Sequence, residues 1–170
     1  MNLNIRRMTV EELPAVLELD RMSFSLPWPE RSFRFELTDN PASRCWVAEV
    51  EGKMVGMVVV WLIADEAHIA TLATHPDFRR QGIARKLLSH ALENLRKEGA
   101  RSSFLEVRAS NMAAQQMYRE FGYEASGRRR RYYKDNDEDA ILMTLSHLDI
   151  ERFASEAGRS RPEKEERDER

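Results

Sequence analysis

Apolar and polar positions change period in a regular order along the chain. Leu3 to Met8 reads as a first strand, after which Thr9-Val10-Glu11-Glu12 supplies a capping box for a helix that turns Leu13, Val16, Leu17 and Leu19 inward. Leu26-Pro27-Trp28-Pro29 breaks that helix, and Pro29 suits the first turn of another whose apolar face includes Phe33, Phe35 and Leu37. Cys45 to Val50 and Lys53 to Ile63 flank Glu51-Gly52 as a hairpin, and Ala67 to Thr74 is the next strand. A helix follows over 83–98, with Leu87, Leu88, Ala91 and Leu95 at helical spacing and Gly99 as its stop. Ser102 to Arg108 is again a strand and Asn111 to Phe121 a helix ended by Gly122. Tyr123 to Tyr133 and Ala140 to Leu145 form a final strand pair.

This order predicts a mixed α/β fold. Strands that follow one another without a helix pair as antiparallel hairpins, whereas 67–74, the helix after it and 102–108 make a β-α-β unit that is parallel and right-handed. Beyond about Ile150 the chain becomes Glu, Arg and Lys with Pro162 and hardly an apolar residue, so the folded domain is expected over 1–149. Residues 150–170 read as a charged, solvated tail, with a short frayed helix as the alternative.

Composition narrows the class. The chain has 170 residues, enough for one domain with one substantial core, and a formal net charge of −2, so no overall basic field argues for nucleic acid. A single cysteine, Cys45, excludes an internal disulfide, and the N-terminus lacks the basic-then-apolar layout of a signal peptide; together these favour a reducing cytoplasm. The apolar run Met54 to Ala64 is too short to span a bilayer and reads as a buried strand.

The most informative stretch is His75-Pro-Asp-Phe-Arg-Arg-Gln-Gly-Ile-Ala-Arg85, which joins a strand to the longest helix through a loop bearing Arg79, Arg80, Gly82 and Arg85. A helix start offers unpaired backbone N–H groups and partial positive charge, so a glycine-tightened loop with flanking arginines suits a phosphate. Neither G-x-x-x-x-G-K-[ST] nor G-x-G-x-x-G is present. An ordinary strand-to-helix turn with solvated arginines is the competing reading of the loop taken alone.

Arg79-Arg80-Gln81-Gly82-Ile83-Ala84 resembles the R/Q-x-x-G-x-G/A signature of the GNAT superfamily of acetyl-CoA-dependent N-acetyltransferases, with Ala84 in place of a second glycine. Leu105-Glu-Val-Arg-Ala-Ser-Asn111, Met117-Tyr118, Phe121-Gly122-Tyr123, Arg131-Tyr132-Tyr133 and Glu138-Asp139-Ala140 resemble, in that order, the RimI type, the ribosomal-protein alanine N-acetyltransferases. The resemblance covers about 3–148. It implies the GNAT fold: a mixed, mostly antiparallel sheet of about seven strands, with a central parallel β-α-β unit and about four helices. It also implies acetyl-CoA as co-substrate, held by the main chain of Leu72, Ala73 and Thr74, by the loop Arg79, Arg80, Gln81, Gly82, Ile83, Ala84 and Arg85, and by Asn111. The pantetheine arm carries amides that can pair with an open strand edge like an added strand.

Acetyl transfer from a thioester to an amine needs a neutral amine and a proton for the departing thiolate. Alternation puts Phe104, Glu106 and Arg108 on one strand face, and a carboxylate there can take the amine's proton, directly or through water. The resemblance assigns Glu106 as general base; from position alone, a solvated strand glutamate is the competing reading. Arg108 on the same face is expected to hold Glu106 ionised, while a sealed site would raise its pKa, and the sequence leaves the winner open. Tyr118 lies two helical turns after Asn111, and the resemblance assigns it as general acid. The alternatives are a core aromatic packed on Ala114 and Phe121 for Tyr118, and a helix cap for Asn111, with Ser110 a rival for that role.

Leu26, Pro27 and Trp28 on one side and Tyr132 and Tyr133 on the other match peptide-side segments of N-terminal acetyltransferases, which implies a protein N-terminus as acceptor, that of the eighteenth small-subunit ribosomal protein. Two rivals stand beside this: a GNAT enzyme for lysine side chains or small amines, and a non-catalytic acyl-CoA-binding regulator. Arg128 to Arg131 reads as a solvated strand beside Asp135 or Asp137, without nucleic-acid binding. Cys45 sits in a core-like strand. His68, His75, His90 and His147 show no zinc-ligand spacing with cysteine, so no metal is expected.

Overall fold

Strand alternation decides the layering. In the computed structural model, which describes residues 1–148, strands β1 (Leu3–Arg7), β2 (Ser43–Val50), β3 (Lys53–Ile63), β4 (Glu66–Thr74), β5 (Ser102–Arg108), β6 (Glu124–Tyr133) and β7 (Glu138–Leu145) form one sheet. Its order is β1-β2-β3-β4-β5-β7-β6, antiparallel throughout except between β4 and β5. Cys45, Val47, Met57 and Val59 leave one face and Trp46, Ala48, Val58 and Val60 the other, each set buried. Helices α1 (Leu13–Ser23) and α2 (Glu30–Thr38) cover the first face, and α3 (Ile83–Lys97) and α4 (Met112–Phe121) the second. Leu87, Leu88, Ala91, Leu92 and Leu95 of α3 are all 0 % exposed, each large side chain contributing about 1.5–3 kcal/mol by leaving water.

Local chemistry shifts several expected boundaries. The Glu12 carboxylate accepts from the Thr9 N–H at 2.8 Å as expected of a capping box, but it closes a 3₁₀ turn, Val10–Glu12, and α1 begins only at Leu13. Pro29 is the residue before α2 rather than part of its first turn. Phe35, expected to face inward, is 49 % exposed. With Phe33 at the core, two further residues carry Phe35 about 200° round the helix, whereas Glu36 and Leu37 return to the inner side. Glu36 is buried and accepts from Trp61 Nε1–H at 2.8 Å and Asn40 Nδ2–H at 3.0 Å, which satisfies its carboxylate.

The feature that positions the site is a parting of β4 from β5. Their ladder holds only Glu66↔Ser102, Ala67↔Ser103 and His68↔Phe104. On its far edge β4 stays paired with β3 as far as Thr74↔Gly56, and β5 stays with β7 as far as Arg108↔Ala140. The β3–β4 register slips between Val59↔Thr71 and Val60↔Ile69, leaving Ala70 as an extra residue that bends β4. A slot with two open strand edges results.

The charged tail expected over 150–170 lies outside the described residues. Among the described residues no helix is long and apolar enough to cross a membrane.

Gly56 lets α3 approach β3. A Cβ there would stand 2.8 Å from Leu87 Cδ1, 3.0 Å from Ile83 Cγ2 and 3.2 Å from the Ala73 carbonyl oxygen. Gly56→Ala is therefore expected to lower stability by about 1–3 kcal/mol, read as a lower urea midpoint at unchanged slope.

Candidate active site

The loop leading into α3 is the candidate anion site. After a 3₁₀ turn over Pro76–Phe78, Arg80 and Gly82 both adopt left-handed backbone, φ 63° and 80°. Gly82 takes this conformation without the strain a side chain brings, and a Cβ built on it would meet nothing within 4 Å, so its open side is free for a ligand. The first helical bond runs from Lys86 N–H to the Gly82 carbonyl at 3.0 Å, which leaves the earlier amides of α3 without helical acceptors. Arg79, Arg80 and Gln81 are exposed beside them, whereas the Ile83 side chain is 1 % exposed in the core, so only its main chain faces outward. Arg85 is drawn to α4, paired with Glu120 and lying 5.8 Å over the Phe121 ring.

The slot between β4 and β5 opens beside this loop. Ala73 buries its methyl under α1, leaving its main chain for the slot edge, and Thr74 Oγ1 is buried with no hydrogen-bond partner among the described residues. An orphaned hydroxyl at the end of an open strand edge fits a polar chain laid along that edge. Asn111, at the start of α4, caps it: Oδ1 accepts from Ala114 N–H at 3.1 Å.

Glu106 stands where the strands part, on the α1–α2 face of the sheet. Its Oε2 is 2.8 Å from His68 Nε2, and Oε1 is 3.7 Å from Arg129 Nε. His68 is itself held, stacked on Phe104 at 4.3 Å and edge-on to Trp61 at 5.1 Å. The His68 hydrogen bond holds the Glu106 carboxyl below the usual glutamate range against the opposing effect of burial, and Arg129 adds to the lowering. The expected influence of Arg108 has to be corrected. Its guanidinium turns away to Asp135 at 2.9 Å and Glu138 at 3.3 Å and lies 4.0 Å over the Tyr133 ring.

Tyr118 approaches from the opposite face, on α4, 8 % exposed and 5.6 Å from Tyr123. It packs as a core aromatic, yet burial and the neighbouring Tyr133 push its pKa up, so the phenol keeps its proton. Tyr133, pushed up to about 12 chiefly by burial, also feels Glu106 electrostatically. It is thus a neighbour of both groups, across the parted strands.

The other residues expected to hold the acceptor lie on the α1–α2 connection and on β6. Leu26 and Pro27 are exposed between α1 and α2, while Trp28 packs on Phe33 at 5.1 Å and donates its N–H at 2.7 Å to the buried Asp20 carboxylate. Tyr132 is 44 % exposed and edge-on to Tyr133 at 5.1 Å. The four arginines of β6 are solvated as expected, but their acidic neighbours differ: Arg128 pairs with Asp139 at 3.3 Å and Arg129 with Glu106, because the ladder sets Arg128 opposite Ile141 and Arg129 opposite Ala140, next to Asp139 and in line with β5. Cys45 is buried, and burial pushes its thiol pKa up, which makes it inert.

Sequence reasoning missed His68. Alternation along β4 with the parallel pairing to β5 is the signal that could have put it on the Glu106 face, but the register that brings the two side chains together is not written in either strand.

A mixed sheet whose parallel central strands part beside a glycine-bearing helix start defines an acyltransferase of the GNAT class. The sequence model of the Acetyltransferase (GNAT) family matches residues 13–123, and the chain belongs to that family. Within it, the chain is of the RimI type. It is 38 % identical over 142 residues to the putative ribosomal protein bS18-alanine N-acetyltransferase of Bacillus subtilis, covering 84 % of this chain and 94 % of the relative. It is 35 % identical over 152 residues to the ribosomal protein bS18-alanine N-acetyltransferase of Escherichia coli K12, covering 83 % and 95 %. The crystal structure of the ribosomal-protein-S18-alanine N-acetyltransferase from Escherichia coli superposes with a TM-score of 0.80 at 33 % identity, covering 87 % of this chain and 96 % of that one.

His68→Ala should raise the pKa of Glu106, since it removes the largest influence lowering it. Carbon-13 NMR titration of the Glu106 carboxyl checks this; an unmoved midpoint would mean that the histidine does not govern the carboxylate.

Proposed function

We propose that the protein transfers acetyl from acetyl-CoA to the N-terminal α-amino group of a protein, the N-terminal alanine of the small-subunit ribosomal protein bS18, in the cytoplasm. The observation that carries this reading is the slot between β4 and β5, with the anion loop at one end and Glu106 at its apex. The loop amides and Arg79 and Arg80 hold the pyrophosphate, the edge of Leu72, Ala73 and Thr74 pairs with the pantetheine amides, and Asn111 lies beside the arm. The thioester then reaches the gap through which Glu106 and Tyr118 meet.

There the amine nitrogen attacks the thioester carbonyl carbon, forming the C–N bond. Its proton passes to Glu106, directly or through water, the C–S bond breaks, and the thiolate takes the Tyr118 proton, which solvent later restores. A carboxylate held low is a weak base. A terminal amine with a pKa of about 8 is already partly neutral near pH 7, whereas a lysine near 10.4 is neutral about a hundredfold less often. The chemistry therefore favours an α-amine over the lysine alternative. Leu26 and Pro27 on one wall and Tyr132 and Tyr133 on the other suit the backbone of the first residues of a peptide. The presence of both Glu106 and Tyr118 argues against a non-catalytic regulator.

A peptide carrying both a free N-terminal alanine and an internal lysine, incubated with acetyl-CoA and mapped by mass spectrometry, should gain acetyl on the α-amine; acetyl chiefly on the lysine overturns the assignment. Gly82→Trp fills the open side of the loop and should abolish most acetyl-CoA binding in calorimetry while the fold persists, and wild-type affinity would remove the loop from the site. Tyr118→Phe keeps the ring and loses the proton, so kcat should fall by about 10²–10⁴ with little change in coenzyme affinity.

A further inference from the structure

Arg108 has no part in the acetyl transfer just described, yet it gathers more partners than any other side chain near the site. It follows Glu106 by two residues on the same face of β5. Nη2 donates to Asp135 Oδ2 at 2.9 Å and to Ser25 Oγ at 3.3 Å, and Nη1 donates to Asn136 Oδ1 at 3.2 Å and Glu138 Oε1 at 3.3 Å. The guanidinium plane lies 4.0 Å over Tyr133. Ser25 completes a circuit by donating its hydroxyl to the same Asp135 oxygen. Ser25 belongs to the segment between α1 and α2 that carries Leu26, Pro27 and Trp28, and Asp135 to the turn of the β6–β7 hairpin that carries Tyr132 and Tyr133. The two groove walls thus meet at one carboxylate held by an arginine rooted in the central sheet.

From this geometry we propose that Arg108, with Asp135 and Ser25, is a clasp that fixes the spacing of the two peptide-groove walls and so sets the preference for a chain terminus; this rests on the reading of the groove given above. A terminus enters with backbone on one side of the reacting nitrogen only, whereas a lysine side chain brings its own flanking backbone on both sides. Walls joined across the groove exclude the second far more than the first. Arginine suits the role because its planar fork engages Asp135 and Glu138 at the same time as it stacks on an aromatic ring, which a lysine ammonium cannot do. The side chains of Arg108 and Asp135 are 24 % and 20 % exposed while Ser25 lies at the surface, so the circuit is open enough to yield to a substrate. Arg108 is a positioning residue: it orients Tyr133 and the Ser25 segment and does not touch the reacting atoms.

The test uses the full chain and three variants, Arg108→Ala, Arg108→Lys and Ser25→Ala. Each is assayed with an alanine-initiated peptide and with the same peptide N-terminally blocked and carrying an internal lysine, and acetyl-CoA affinity is measured by calorimetry. Arg108→Ala should raise the peptide KM about tenfold or more, with a smaller change in kcat and unchanged acetyl-CoA affinity, and should narrow the ratio of α-amine to lysine rates. Arg108→Lys should recover part of the loss. Ser25→Ala, at an exposed loop position that leaves the sheet untouched, should move KM and the rate ratio in the same direction, and combining it with Arg108→Ala should add little. An unchanged KM and rate ratio in Ser25→Ala and Arg108→Lys, or a fall in acetyl-CoA affinity that accounts for the loss in Arg108→Ala, overturns the clasp. If the unaltered protein itself acetylates only the lysine peptide, the functional reading fails instead, and the wild-type arm reports that before any variant is compared.

Discussion

The structure depends on one interrupted ladder. β4 and β5 are the only parallel neighbours in the described sheet, and they share three paired residues before they separate. Each remains anchored on its far edge, β4 to β3 and β5 to β7, so the parting leaves two open edges without loosening the sheet. Backbone groups inside a protein need partners. An open edge lined by Leu72 to Thr74, ending at an orphaned Thr74 hydroxyl, is a place where a ligand completes the protein's own hydrogen bonding.

The chemistry follows from the same interruption. Glu106 belongs to one face of the sheet and Tyr118 to the other, and in an unbroken sheet two such groups could not act on one carbonyl. In the proposed mechanism the gap lets both act on one thioester, and Tyr133 feels Glu106 electrostatically as Tyr118 feels Tyr133. Electrostatics sort their roles: His68 and Arg129 keep the carboxyl ionised, while burial keeps the phenol protonated. The carboxyl and the phenol thus rest in the states that the proposed reaction requires.

Much of this was legible in the sequence because the relevant signals are local. Turn residues, caps and apolar periods gave β3 over Lys53–Ile63 and β5 over Ser102–Arg108 without error, and residue types around Gly82 marked the loop before α3 as a candidate anion site beside the reading of an ordinary turn. What was not legible is register between strands distant in the chain. Arg108 was expected to govern Glu106 because the two share a strand face, whereas the actual partner, His68, stands on a neighbouring strand at a height set by three ladder pairs. Likewise Arg128 and Arg129 were assigned to acidic residues near in sequence, and the pairing of Arg128 with Ile141 and Arg129 with Ala140 delivered them to Asp139 and Glu106. Phe35 failed for a different reason: apolarity alone placed it inward, and helix geometry with Phe33 already buried placed it outside.

The claim that the parted strands form the coenzyme slot is tested most directly by residue-resolved amide hydrogen exchange with and without coenzyme A. The account predicts new protection among amides of β4 beyond the ladder, within Ile69–Thr74, and at the start of α3, with Glu66–His68 unchanged because they are already paired. Protection that leaves Ile69–Thr74 at its ligand-free level while appearing elsewhere would contradict it.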